Sequence, residues 1–206
     1  MAIVYPLVMP ISPRARELRV TAVSSVGSSI SPWTFSENVQ SHPGQRWEID
    51  ISLPPMLRDD AQDWIAFLLA LNGQEGTFLA GDSTMESPRG PMGGSPVVSG
   101  AGQTGITLNV SGCTNNQTPW AKAGDPIQLG TGLTTRFHRV LSDANSNGSG
   151  QVSIDLWPRV RIAPSNGATI LTRNTLGLWR LATSQNSWTV GTAMLHGMMI
   201  VAVEAL

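Results

Sequence analysis

The chain predicts a mainly β protein with one α-helix and, inserted in mid-chain, a small β-barrel domain. Three observations predict this. Gln45 to Leu53 alternates strictly, with Trp47, Ile49, Ile51 and Leu53 on one face and Arg46, Glu48, Asp50 and Ser52 on the other. Such period-two patterning is that of a half-buried strand. After Pro54 and Pro55, Ala61, Trp64, Ile65, Leu68 and Leu69 recur at i, i+3, i+4, i+7 and i+8, the spacing of an amphipathic helix. Beyond a Gly-, Pro- and Ser-rich exit, SPRGPMGGSPVVSGAGQTG, short alternating runs follow one another, separated by Gly, Asn and Asp turns.

The elements follow in order. Met1 to Pro13 is broken by prolines and predicts an extended arm or edge segment. Leu18 to Ser24 alternates Leu18, Val20 and Ala22 and predicts the first strand, and Ile30 to Val39, with Trp33 and Phe35, predicts the next. Pro43 and Gly44 would then turn the chain into the central unit. Asp59, with Gln62 three residues on, reads as a capping box for the helix, and Gly73 after Asn72 as its left-handed stop. Thr77 to Ala80 is a short β-prone run, so the central unit reads strand, helix, strand.

In the insert, strands are predicted at Ile106 to Val110, Ile127 to Leu129, Phe137 to Leu141 and Val152 to Leu156. Ile170 to Thr172, Leu178 to Ala182 and Ala193 to Val203 read as strands returning to the first sheet. The division is therefore a core of residues 1–91, an insert of 92–168 and a return to the core over 169–206.

Composition narrows the function classes. Charged residues are 13% of the chain, about half of the roughly 25% usual in soluble domains. A subunit held in an assembly can replace surface charge with uncharged polar and buried apolar faces, so the composition favours assembly. A net charge of -1 leaves no electrostatic footprint for a polyanion, and no nucleic-acid partner is expected. The single cysteine, Cys113, rules out an internal disulfide and a cysteine-rich zinc site. MAIVYPLVMP and MLHGMMIVAVEAL both fall far short of the ~20 apolar residues of a membrane helix. Neither a signal peptide nor membrane insertion is expected, and the second run reads as a buried strand.

Chemistry-bearing patterns dissolve on inspection. Gly100, Gly102 and Gly105 match a dinucleotide fingerprint by letters, but ITLNV follows, where that fingerprint requires a helix; a turn is expected. Asp143, Asn145, Asn147 and Gly148 reproduce half of a calcium loop, with Ile154 where the bidentate Glu belongs, so a hairpin turn is expected. Asp59, Asp60 and Asp63 suit a helix N-terminus, where acidic groups offset the dipole. His42, His138 and His196 are isolated, and no GxSxG elbow nominates a nucleophile. No catalytic, cofactor-binding or metal-binding residue is nominated. Of the seven tryptophans, Trp120 and Trp157 fall near turns of the insert, where exposed aromatics could stack on sugars. They are the candidate residues of a glycan-binding alternative.

With these residues laid out, the chain resembles tail-tip proteins of long-tailed bacteriophages, most nearly the distal tail (Dit-like) and related minor tail proteins. The likeness runs through PGQRWEIDISLPPMLRDDAQDWIAFLLALNGQEGTFLAGD, the exit SPRG, then GAGQTGITLNV, AGDPIQLG and SNGSGQVSIDLWPRVR, and the ending GLWRLA to VEAL, covering nearly the whole chain. These motifs are structural, not catalytic. The resemblance implies a β-sandwich or split-barrel core with one helix, closed into a homo-oligomeric ring, commonly a hexamer, between the tail tube and the tail-tip hub or baseplate. It implies a virion protein at the distal end of the tail, made in the host cytoplasm. Its partners would be itself, the tube protein and hub proteins, with no cofactor and no enzymatic activity. A tail tube protein or another tail adaptor of the same fold is the related alternative.

Overall fold

The computed structural model describes residues 3–82, 86–191 and 193–206. The core's first part comprises β1 (Leu7–Val8), β2 (Glu17–Ile30), β3 (Glu37–Ser52), α1 (Arg58–Ala70) and β4 (Phe78–Ala80). The insert contributes β5 (Gly94–Val98), β6 (Gly105–Cys113), β7 (Pro126–Leu129), β8 (Arg136–Val140), β9 (Val152–Val160) and β10 (Ile170–Leu171). The chain closes with β11 (Gly177–Leu181), β12 (Trp188–Val190) and β13 (His196–Glu204). The protein is mainly β, and α1 is the single α-helix among the described residues.

The first sheet has the order β1-β4-β11-β13-β3-β2, with β12 attached to β13, and it is mixed because β1 runs parallel to β4. The alternation read from the sequence sets its inner face. Ile49 and Ile51 lie opposite Val20 and Leu18 on one side and opposite Ala202 and Ile200 on the other, so all six share a face. Residues directly opposite across a ladder point the same way. Trp47, Ile49, Ile51 and Leu53 are all buried.

Helix α1 lies on that face, between β3 and β4, which β13 and β11 separate in the sheet. It buries Ala61, Trp64, Ile65, Phe67 and Leu68, each large side chain worth roughly 1.5–3 kcal/mol. Leu69, expected on this face, is 60% exposed. Phe67 takes its place, standing edge-on to Trp64 at 6.1 Å and to Phe78 at 5.5 Å. The capping box at Asp59 is also not formed. Met56 bridges His196 of β13, so the chain enters the helix directly from a sheet contact and Leu57 occupies the cap without a side-chain bond. Asp59 and Asp60 instead occupy the first turn, next to the positive end of the dipole. At the other end Asn72 and Gly73 have φ of 49° and 66°, the left-handed pair that stops the helix.

The second sheet is antiparallel throughout, in the order β10-β7-β8-β9-β6-β5. A bridge from Val97 to Thr169 brings its two edges together into a nearly closed barrel. Its interior holds a separate apolar cluster running from Met92 to Ile170, including Leu108, Val110, Ile127 and Ile154. Ile170–Leu171, expected in the first sheet, pairs with β7 and helps close this barrel. The Gly-rich exit, expected as linker, contributes β5. Its partner β6 begins right after Gly100 and Gly102, confirming a turn and leaving no helix for a dinucleotide fingerprint.

Two further expectations are corrected. Ile30 to Val39 is not a strand, and Pro43–Gly44 is not the turn: β2 and β3 form one long hairpin whose tip is Ser31–Ser36, and Pro43 and Gly44 lie inside β3 as an irregularity in its ladder. The N-terminal arm, in its described part, is tied to the first sheet and the helix of its own chain. Leu7–Val8 pairs with β4, the Tyr5 hydroxyl donates to the Ala70 carbonyl at 2.9 Å, and Trp64 Nε1 donates to the Ser12 carbonyl at 3.2 Å. Met1 and Ala2 lie outside the described residues.

Candidate assembly surface

The β2–β3 hairpin leaves the body of the protein. The ladder between β3 and β13 covers only Glu48–Ser52, so the outer part of β3 has β2 as its only ladder partner among the described residues, and at its base the Gln45 side chain accepts from the Arg159 amide of β9 at 2.8 Å. Every residue from Val26 to Gly44 except Ser31 is exposed. At about 3.3 Å per residue, the run from Val26 to the tip spans roughly 20 Å.

This ribbon is two-faced. Val26 opposes Ser41, Ser28 opposes Val39 and Ile30 opposes Glu37, which places Val26, Val39 and Ile30 on one side, interleaved with Ser28, Ser41 and Glu37. The alternate pairs, Gly27 with Gln40 and Ser29 with Asn38, are uncharged, and apart from the glycine they are polar. The three apolar residues are 53–59% exposed, and no described part of the chain covers them. A two-stranded ribbon is marginal by itself in water, so an apolar face of this kind calls for a partner.

The tip concentrates the effect, with Trp33 89% and Phe35 81% exposed. Phe35 has a φ of 55°, a left-handed conformation uncommon for a bulky residue. Ser31 holds it there, accepting from the Phe35 amide and donating its own amide to Ser36 O, both at 2.9 Å. The Thr34 and Ser36 hydroxyls bond to each other at 2.8 Å. Glycine would adopt this turn at lower cost, and backbone strain of this kind is characteristic of functional surfaces.

A second feature lies on the body of the core. A cleft of about 390 Å³ is floored by Ile49, Ile51, Trp64 and Trp179, with Phe137 of the insert contributing one wall. Val8 and Ile11, 78% and 82% exposed, form its lip together with Arg14.

Insert and core meet at a joint that combines aromatic and ionic contacts. Trp47 packs against Trp157 and Phe137, and its Nε1 donates to the Phe137 carbonyl at 3.1 Å. Arg161, just past β9, pairs with Glu204 of β13 at 2.5 Å, and the Glu204 carboxylate also accepts from the Trp47 amide at 3.2 Å. Burial raises the Glu204 pKa above its ordinary value, against the opposing pull of Arg161. His138 is enclosed beside them, its Nδ1 donating to the Pro158 carbonyl at 2.7 Å. Burial pushes its pKa down to about 4, which keeps the ring neutral.

The residues singled out for chemistry are scattered. Trp120, proposed as an exposed sugar platform, is completely buried, with Nε1 donating to the Gly93 carbonyl at 2.9 Å. No face of its indole is open to a sugar, because the barrel closes around it. Trp157 is half-buried against Trp47 at the joint, on a different apolar cluster from Trp120. The pair therefore forms no common platform. Asp143 accepts from the Ala123 amide at 2.8 Å, and the Asn147 side chain accepts from Ser149 and Gln151 at 2.9 Å, so these side chains organise turns. His42 lies exposed in the hairpin, His138 is at the joint and His196 is on β13. Cys113 is buried, and its pKa is raised to about 11, which leaves the thiol protonated. Among the described residues no helix is long and apolar enough to cross a membrane.

Sequence reasoning missed the tip. The signal was present in the order Ser31-Pro32-Trp33-Thr34-Phe35-Ser36, where Ser and Pro bracket the aromatics as turn chemistry does. No family model matches the chain, and neither does any curated protein.

Proposed function

We propose that this protein is a structural subunit of a bacteriophage tail tip that assembles with copies of itself into a ring, joining the tail tube to the tail-tip hub. The observation that carries the reading is the free-standing hairpin with one uncovered apolar face. Such a surface in a chain with only 13% charged residues suits a subunit whose surface is completed by neighbours. The outer edges of β2 and β3 also offer unpaired backbone groups to which another chain can add. The resemblance to distal tail proteins supplies the class of assembly and the neighbours, tube and hub. The mechanism is mechanical: the ring holds its neighbours in register and makes or breaks no bond. Six copies are the expected number.

The test is the mass of the purified protein by light scattering across concentration, followed by negative-stain imaging. A discrete closed oligomer, visible as a ring, is the expected result. A monomer at every concentration, with no ring on the grid, would overturn the reading.

A further inference from the structure

We propose that the hairpin tip of one copy, Trp33 with Phe35, seats in the apolar cleft of the next copy, with Glu37 facing Arg14 on its lip. This rests on the self-assembly reading above and names the contact that drives it.

The tip cannot reach the cleft of its own chain. Leu18 and Val20 line the cleft at the base of β2, while Ile30 stands at the far end of the same paired strand, roughly 33 Å from Val20 and roughly 40 Å from Leu18 at about 3.3 Å per residue. Tip and cleft therefore lie on different surfaces of one molecule, and their pairing is head-to-tail. A contact of that kind closes into a ring when the rotation between neighbours permits.

Three properties match. In size, the cleft of about 390 Å³ falls within the range of sites that enclose drug-sized groups, large enough for an indole and a phenyl ring. In charge, Glu37 is the only carboxylate between Ser25 and Gly44, and it is exposed. Arg14 is exposed on the cleft's lip, on the N-terminal arm, while the carboxylates that line the cleft, Asp82 and Glu86, follow β4. In area, two aromatic anchors bury roughly 300–500 Å² together. The apolar side of the ribbon, Val26, Ile30 and Val39, extends this toward the ~800 Å² per partner of a stable interface. Aromatic residues seated in pockets are also the usual energetic centres of interfaces.

The experiment traps the contact. Full-length chains carrying Thr34→Cys at the tip and Ile11→Cys at the lip are purified separately, distinguished by a mass tag, mixed and oxidised. Native Cys113 is buried and does not compete. The expected product is the mixed disulfide, in several-fold excess over either homodimer. Adding Trp33→Ala and Phe35→Ala to the tip chain lowers its yield at least tenfold, and circular dichroism confirms that the variant folds, since both side chains are exposed in the wild type. Glu37→Arg lowers the yield, and Arg14→Glu in the other chain restores it. Mixed disulfide at no more than statistical yield would overturn the proposal.

The two readings fail separately. A ring that forms equally well in Trp33→Ala/Phe35→Ala overturns the tip contact and leaves ring assembly standing. A strong mixed disulfide in a protein that forms no closed oligomer keeps the tip contact and removes the ring.

Discussion

Trp157 of the insert stands edge-on to Trp47 of the core, with ring centroids 4.2 Å apart and planes at 79°. Trp47 lies on the strand that also carries the hairpin, so this contact couples the insert to the base of the projecting arm. Phe137 flanks it at 5.6 Å. Here the apolar cluster of the first sheet, which takes in Phe137 and Trp157 of the insert, meets the barrel that carries the second cluster.

Trp157→Ala is therefore expected to loosen the joint more than either core. Removing a large aromatic costs about 3 kcal/mol, and the two sheets should then melt separately. Scanning calorimetry is expected to resolve two transitions in the variant and a single one in the wild type. A single transition at the wild-type temperature would show that the aromatic contact does not couple the sheets.

Arg161→Met leaves the Glu204 carboxylate buried without its cation. Breaking a buried pair in this way costs roughly 3 kcal/mol at neutral pH. The folded pKa of Glu204 is already raised by burial, so its stabilising contribution is full below the ordinary value of 4.5 and is lost as pH rises through the raised pKa. The deficit of Arg161→Met should accordingly shrink as pH is lowered toward 4.5. Urea unfolding of both proteins across this range measures it, and a deficit independent of pH would contradict the assignment.

His138 gives the opposite slope. Its folded pKa of about 4 lies below the ordinary 6.5, so its contribution is present above pH 6.5 and disappears as pH falls toward 4. The full effect is about 3 kcal/mol, at 1.36 kcal/mol per unit of displacement. His138→Asn keeps a donor for the Pro158 carbonyl without the titration. Its unfolding free energy should change less between pH 7 and pH 5 than that of the wild type. Equal changes in the two proteins would remove His138 as a source of acid sensitivity.

The sequence by itself determined the alternation of Trp47 to Leu53, the one amphipathic helix after Pro54 and Pro55, and the insert strands β6, β7, β8 and β9. Each of these is a local period imposed by one buried face, and a period can be read without knowing what covers the face. It also determined the left-handed stop at Asn72 and Gly73, where backbone preference acts within the segment.

Tertiary structure decided the rest, because burial depends on neighbours distant in the chain. Trp33-Thr34-Phe35 alternates as a packed strand would, yet it stands free at a hairpin tip. Trp120 follows a proline near turns and is fully enclosed, because Gly93 from before it in the chain and Ala144 from after it both come to it. Ile170–Leu171 serves the barrel, since β7 offered it an unpaired edge before the chain reached β11. The cleft is the clearest case. Its floor comes from β3, α1 and β11, its wall from the insert and its lip from the N-terminal arm, segments that only the folded chain brings together.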